Sequence, residues 1–361
     1  MADSLAQVRA LFDADAGITY LDSATYGLPP RPTIHVMQRA LERWQSGTAD
    51  WVNEWDVRGE TCRVAYAQLL DVPAARVALV PSASVGVGLV AANLTDADEV
   101  VIPEDEFNSV LFPILVAARH RGVSVREVPF DHVADSIGPT TTLVAFSLVQ
   151  SQSGRAANQD EIVTAAERVG ARTLIDATHA VPFVAVDPRA DFVVCAAYKH
   201  LLSPRGVAFL SVSPTHWDST PAWLANWRSA SDPYHVYYGG PLDQAAGAAR
   251  FDVSLAWFAW AGAAESLSLL ADWQADGVLA EPLSLAARFA QCLGLPTPVG
   301  SIVSVAVEDA ESVRVELAHA GIKAAVRAGS VRFSTHVYNT GNDIDRTVTV
   351  MERFVPSASA R

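Results

Sequence analysis

The sequence predicts an α/β protein: a large sheet-containing domain followed by a smaller α+β domain at the C-terminal end. Three observations predict it. At 361 residues, half of them apolar, the chain is globular and longer than one ordinary core requires. Apolar runs bounded by turn residues alternate with stretches of helical spacing, the pattern of a sheet flanked by helices. From Ser301 onward the strands and helices shorten, as in a small appended domain. The expected division is an N-terminal segment, 1–20, packing on the small domain, a large domain over 21–255, and a small domain over 256–361.

Bulk properties narrow the function. A net charge of −14 argues against nucleic acid and against anionic membrane as partners. Val77 to Thr95 carries no charge, but Pro81, Gly86 and Gly88 interrupt it, so a strand, a loop and a helix start fit better than a membrane span. Met-Ala-Asp-Ser at the start lacks the features of a signal peptide. The three cysteines, Cys62, Cys195 and Cys292, suit neither a disulfide framework nor a metal site, so no metal is expected and the reducing cytoplasm is the expected compartment.

The elements follow in order. Residues 4 to 16 are weakly helical, and Ile18–Leu21 is a short strand before the Gly/Pro-bounded loop Asp22–Pro30. Ile34, Met37, Ala40, Leu41 and Trp44 give Thr33–Gln45 helical spacing. Trp51 and Trp55 flank a loop, where they either wall a pocket or pack structurally, the commoner use. A helix over Val57–Leu70 leads to the strand Arg76–Val80, then to the small residues Pro81–Gly88 opening another helix. Such a turn lets backbone N–H groups approach a phosphate. Strands over Glu99–Ile102, Ser124–Val128 and Thr141–Ser147 come next, then a helix over Asp160–Val169. Helices over Leu255–Trp273 and Pro282–Leu293 precede the short elements of the last sixty residues. The Ser/Ala-rich tail Pro356–Arg361 is expected to fray.

The chain is organised around Asp191 to Leu210. The apolar run Phe192–Ala197 ends at Lys199, and a turn at Ser203–Gly206 leads into a second apolar run, Val207–Val212. Two buried strands so joined hold Lys199 at the rim of a sheet. There, desolvation lowers an amine's pKa and makes it a nucleophile; a lysine merely reaching for water is the alternative. Asp176, 23 residues earlier, ends another apolar strand. A lysine and an aspartate at neighbouring strand ends are what pyridoxal phosphate (PLP) needs: the lysine links to the aldehyde and the aspartate keeps the pyridine nitrogen protonated.

With these motifs the chain resembles the class V aminotransferases, the cysteine-desulfurase-like branch of fold-type-I PLP enzymes, from about Tyr20 to Phe354. The resemblance implies a mostly parallel, seven-stranded type of sheet and the cofactor PLP. Catalysis falls to Lys199 and Asp176. Ala83 and Ser84 match the pair that binds the cofactor phosphate. Phe107 stands where an aromatic residue covers the ring, and Ser151 where an asparagine contacts the ring oxygen. His179 is matched to the imine region and Tyr198 to a phosphate-contacting position. Ser254 answers to a hydroxyl that reaches the partner subunit's cofactor, which implies a homodimer. Arg332, in Arg332–Asn339, matches the arginine that grips the substrate α-carboxylate. Arg327 is a second clamp or a solvated arginine, with the latter favoured. Tyr26 and Gly27 are candidates for lining the substrate side, with Trp51.

The expected partner is a small-molecule amino-acid substrate. Desulfurases of the family carry a sulfur-accepting cysteine in a loop before the carboxylate-binding arginine, and no cysteine lies between Leu293 and Arg332. The resemblance is closest to C–S lyases, implying β-elimination from an S-conjugated cysteine in small-molecule biosynthesis. A decarboxylating, aldehyde-forming enzyme, an aminotransferase or an epimerase are the alternatives, and a purely binding role is disfavoured.

Overall fold

The computed structural model describes residues 2–355; the tail expected to fray lies outside them. Its centre is a seven-stranded sheet in the order β2-β8-β7-β6-β5-β3-β4. The strands are β2 (Val77–Val80), β3 (Glu99–Pro103), β4 (Ser124–Val128), β5 (Thr141–Ser147), β6 (Arg172–Asp176), β7 (Phe192–Ala196) and β8 (Ala208–Val212). Every neighbour pair from β4 to β7 is parallel, and β8 runs antiparallel to both β7 and β2. Six strands therefore point one way, and their C-terminal ends share one edge, the edge at which α/β sheets build sites. The expected mostly parallel sheet is present.

Strands β2, β7 and β8 are buried at every residue, which is why they read as unbroken apolar runs. Helices cover both faces. On one side lie α3 (Arg58–Leu70), α6 (Gln159–Val169) and α7 (Trp257–Ala275), whose buried residues share a core with Val193, Cys195 and Phe209. On the other, α4 (Ala83–Ala91) and α5 (Asn108–Arg121) pack over Val194, Leu210 and Ile102.

The small domain contains the antiparallel sheet β11-β12-β9, built from β9 (Ile302–Ala306), β11 (Ala325–Arg327) and β12 (Ser330–Ser334). Its own core includes Phe289, Val303, Leu317, Phe333 and Ile344, from α8 (Ala280–Cys292), α9 (Ala310–His319) and α10 (Gly341–Met351) as well as the sheet.

Two expected boundaries move. Helix α7 was expected in the small domain, but it packs against α3 and α2 (Arg31–Ser46) and contributes Trp260, Leu267 and Trp273 to the large core, which runs on to Leu279. The apolar surface of α7 is matched by those helices, so the second core takes Leu21, expected to open the large domain, and resumes only in α8. The N-terminal segment bridges the two cores. Val8 of α1 (Ala2–Arg9) lies in the large core, whereas β1 (Thr19–Tyr20) pairs in parallel with β10 (Ile322–Lys323) of the small domain.

Candidate active site

Lys199 lies just beyond the C-terminal end of β7 and Asp176 ends β6, paired in register with Val194. The fold thus brings the two residues to one edge of the sheet. Both are 5% exposed. The Thr178 backbone N–H donates to Asp176 Oδ1 at 2.8 Å, yet no cation lies within 4.0 Å of the carboxylate among the described residues. Burial therefore holds the Asp176 carboxyl above its ordinary range. A buried acid in this state is stabilised by an N–H⁺ brought by a ligand.

Burial also pushes the Lys199 amine down to about 8, against the pull of Asp176. His179 Nε2 stands 3.1 Å from the carbonyl of Ala24 and 3.2 Å from Lys199 Nζ. A carbonyl only accepts, so a proton on Nε2 makes its one hydrogen bond to Ala24. His179 itself is held well below its usual pKa by burial and by Lys199.

Phe107 is partly exposed, with its ring centroid 5.0 Å from Lys199 Nζ. Its backbone N–H donates to Glu106 Oε1 at 2.7 Å, and the same carboxylate accepts from Ser147 at the end of β5. Glu106 therefore fixes the loop that carries Phe107. The ring of Tyr198 lies 5.6 Å from the lysine amine and 4.5 Å from the guanidinium of Arg205. Gly27 donates to the Tyr198 carbonyl at 3.0 Å. A Cβ at that glycine would stand 2.3 Å from the Lys199 carbonyl oxygen, so only glycine permits the approach.

Ala83 and Ser84 open α4 at the same edge. Ser82 caps the helix through Val85 N–H, leaving the N–H groups of Ala83 and Ser84 without an acceptor among the described residues. Two free donors at a helix N-terminus suit a phosphate. With the Asp176 carboxylate and the amine of Lys199, these residues fit PLP.

Arg332, on β12, is 1% exposed. It donates through Nη1 to the backbone oxygen and hydroxyl of Ser151, at 2.6 and 3.2 Å. Through Nη2 it reaches Thr25 Oγ1 at 2.7 Å and Asp22 at 3.5 Å. Burial and the nearby Arg327 lower its guanidinium to about 10, which leaves it charged at neutral pH. Ser151 thus meets the arginine. Tyr26 is 43% exposed beside Tyr20, the ring centroids 5.4 Å apart.

Two candidates stand apart from this group. Trp51, expected on the substrate side, instead stacks on Trp257 at 4.9 Å within a cluster that includes Trp227 and Tyr234. That is the packing use of a tryptophan, anchoring the π-helical turn Val52–Asp56, where a loop was expected, to α7. Ser254 is exposed, and its hydroxyl donates to Asn226 at 3.4 Å. Sequence reasoning missed Thr25, Glu106 and His200. Thr25 and Glu106 sat inside loops already singled out, whereas His200, buried with neither ring nitrogen paired, gave no signal beyond adjoining Lys199.

The sequence model of the aminotransferase class-V family matches residues 19–347. The chain belongs to this family. Class-V aminotransferases are PLP enzymes acting on amino-acid substrates. Among curated relatives, a probable cysteine desulfurase of Methanothermobacter thermautotrophicus is 28% identical over 54% of this chain and 52% of its own length. Isopenicillin N epimerase of Streptomyces clavuligerus is 28% identical over 46% of each chain. These matches span about half the length of the relatives. The cysteine desulfurase CsdA of Escherichia coli superposes with a TM-score of 0.80 at 22% identity, over 97% of this class-V chain and 98% of its own. The cystine C–S lyase C-DES, complexed with its product cysteine persulfide, gives 0.83 at 18% identity, over 94% and 99%. At these identities the likeness shows the shared fold-type-I architecture. Among the described residues, no helix is long and apolar enough to cross a membrane.

Proposed function

We propose that the protein is a C–S lyase, cleaving an S-conjugated cysteine by β-elimination to a thiol, pyruvate and ammonia in small-molecule biosynthesis in the cytoplasm. The observation that carries this reading is the state of the thiols. Desulfuration of free cysteine needs an accessible thiolate to accept sulfur. Cys62 and Cys195 are sealed, their thiols pushed up by burial. The exposed thiol, Cys292, closes α8, and no cysteine lies between it and Arg332, where the resemblance places a sulfur acceptor. Elimination requires no sulfur acceptor.

The residues divide the work. Arg332 receives the α-carboxylate in place of part of its present contacts, and its planar fork suits two parallel hydrogen bonds. Asp176 keeps the pyridine nitrogen of PLP protonated, and PLP, when bound, supplies the sink for the electron pair left at Cα. Lys199, whose burial favours the neutral amine, takes the Cα proton, with His179 Nε2 3.2 Å from its Nζ. The Cβ–S bond breaks with its electrons on sulfur, and the thiolate takes up a proton. Water converts the three-carbon remainder to pyruvate and ammonia.

The enzyme is proposed to act as a homodimer. Ser254 is exposed with only a long 3.4 Å contact to Asn226, and Ile34, Leu41 and Trp44 lie exposed along α2 at helical spacing, an apolar stripe suited to a second copy.

A panel of S-substituted cysteines with product identification by mass spectrometry tests the lyase reading. Free thiol plus pyruvate is expected. Carbon dioxide with an aldehyde that keeps its C–S bond, a keto acid with aminated cofactor, or a racemised substrate would each replace it with a different reaction.

A further inference from the structure

The hairpin β11–β12 carries a second arginine towards the site. In its antiparallel register Ala325 faces Arg332 and Arg327 faces Ser330. Side chains alternate along a strand, so Arg327, two residues from Ala325, lies on the same face of the hairpin as Arg332. Both guanidinium groups converge on one hydroxyl. Arg327 Nη2 donates to Thr25 Oγ1 at 3.2 Å, from the solvent side, and Arg332 Nη2 donates to it at 2.7 Å, from within. Arg327 is steadied by its Nη1, which donates to the Val326 carbonyl at 2.7 Å. No acidic side chain lies within 4.0 Å of it among the described residues, whereas Arg332 has Asp22 at 3.5 Å. The turn between the strands places Ala328 at φ 46° and Gly329 at φ 75°. An alanine in the left-handed region is a cost that persists only where the surroundings fix it.

We propose that Arg327 recognises a second acidic group on the substrate, a carboxylate carried by the sulfur substituent. The inference rests on the C–S lyase reading of the same site. With its α-carboxylate on Arg332 and its amine at Lys199, an amino acid has only Cβ left from which to extend. The open side of the site is bordered by the partly exposed Tyr26 and Phe107, and Arg327 is the exposed cation tied to that loop through Thr25. A carboxylate arriving there meets a guanidinium with no acid to give up, and forms charge-assisted hydrogen bonds without displacing a buried pair. Of the other exposed cations near the loop, Arg205 already lies 4.5 Å from the Tyr198 ring and Arg31 pairs with Asp13 at 3.3 Å.

The test compares S-(carboxymethyl)-L-cysteine with its uncharged isostere S-(carbamoylmethyl)-L-cysteine on the holoenzyme. The quantity read is the ratio of the two kcat/KM values for pyruvate release, in which any general loss of activity cancels. Wild type is expected to favour the acid. Arg327→Gln should reduce the ratio about tenfold, a modest value for a charged hydrogen bond at an exposed site, and Arg327→Lys should restore part of it. Binding of the same pair to the Lys199→Ala holoenzyme, read from the absorbance of the bound cofactor, supplies a measurement without turnover. A binding preference lost in Arg327→Gln, with no elimination from any conjugate, would retain the acid-recognition role and remove the lyase reading. Elimination with a ratio unchanged by Arg327→Gln would do the reverse. Equal weakening of both ligands would assign Arg327 to the α-carboxylate and overturn the proposal.

Discussion

At Lys199, burial favours the neutral amine against the pull of Asp176. The sign of the pH effect follows. A base whose pKa is lowered to about 8 is mostly protonated below that value and free above it. Covalent capture of PLP by the apoenzyme should therefore slow about tenfold per pH unit below about 8 and level off above it. Stopped-flow absorbance between about pH 6 and 9 checks this, and a flat profile would contradict it. Lys199→Ala should retain the cofactor without the covalent link and lose about 10²–10⁴-fold in turnover, the range for removing a proton-transfer group. Arg332→Lys keeps a charge but loses the fork. It should weaken substrate binding by about 1.5–3 kcal/mol, measured by titrating the cofactor absorbance. Unchanged affinity would move the carboxylate clamp off Arg332.

At the scale of elements, the loop over Asp22–Pro30 is pinned to the lysine loop through Gly27. Its hydrogen atom faces the Lys199 carbonyl and Leu202, where a Cβ would stand 2.3 and 2.6 Å away. The carbonyl is backbone and cannot swing aside. Gly27→Ala should displace the loop, cost about 1–3 kcal/mol in stability as overpacking does, and impair activity through Ala24, whose carbonyl orients His179. A variant that melts and turns over like wild type would show that the two loops are not coupled. The strands flanking Lys199 were legible because a strand buried on both faces needs an uninterrupted apolar run. Helix α5 was not, because Phe112, Leu115 and Val116 are exposed while Val110 and Ile114 are buried, which erases the amphipathic stripe, and Pro113 lies inside it. Strands β10 and β11 have two and three residues, too few for any period to show. The setting of Trp51 depends on α7, some two hundred residues away, and nothing local encodes it.

At the scale of the whole molecule, the site is assembled from both domains. Asp176 and Lys199 come from the large sheet, Arg332 from the small one, and the loop carrying Thr25 joins them. The apolar stripe on α2 and the exposed Ser254 lead to a further prediction. Light scattering should give a dimer, and an inactive Lys199→Ala chain mixed with an inactive Ser254→Ala chain should recover part of the activity. A stable, active monomer would contradict the shared site. The central claim is that sulfur leaves with its substituent and the carbon skeleton leaves as pyruvate. The direct measurement is stoichiometry: thiol, pyruvate and ammonia quantified together from one S-conjugated cysteine. Equal amounts of the three, with no carbon dioxide, are predicted. Carbon dioxide released in step with substrate loss, or pyruvate without free thiol, would contradict β-elimination.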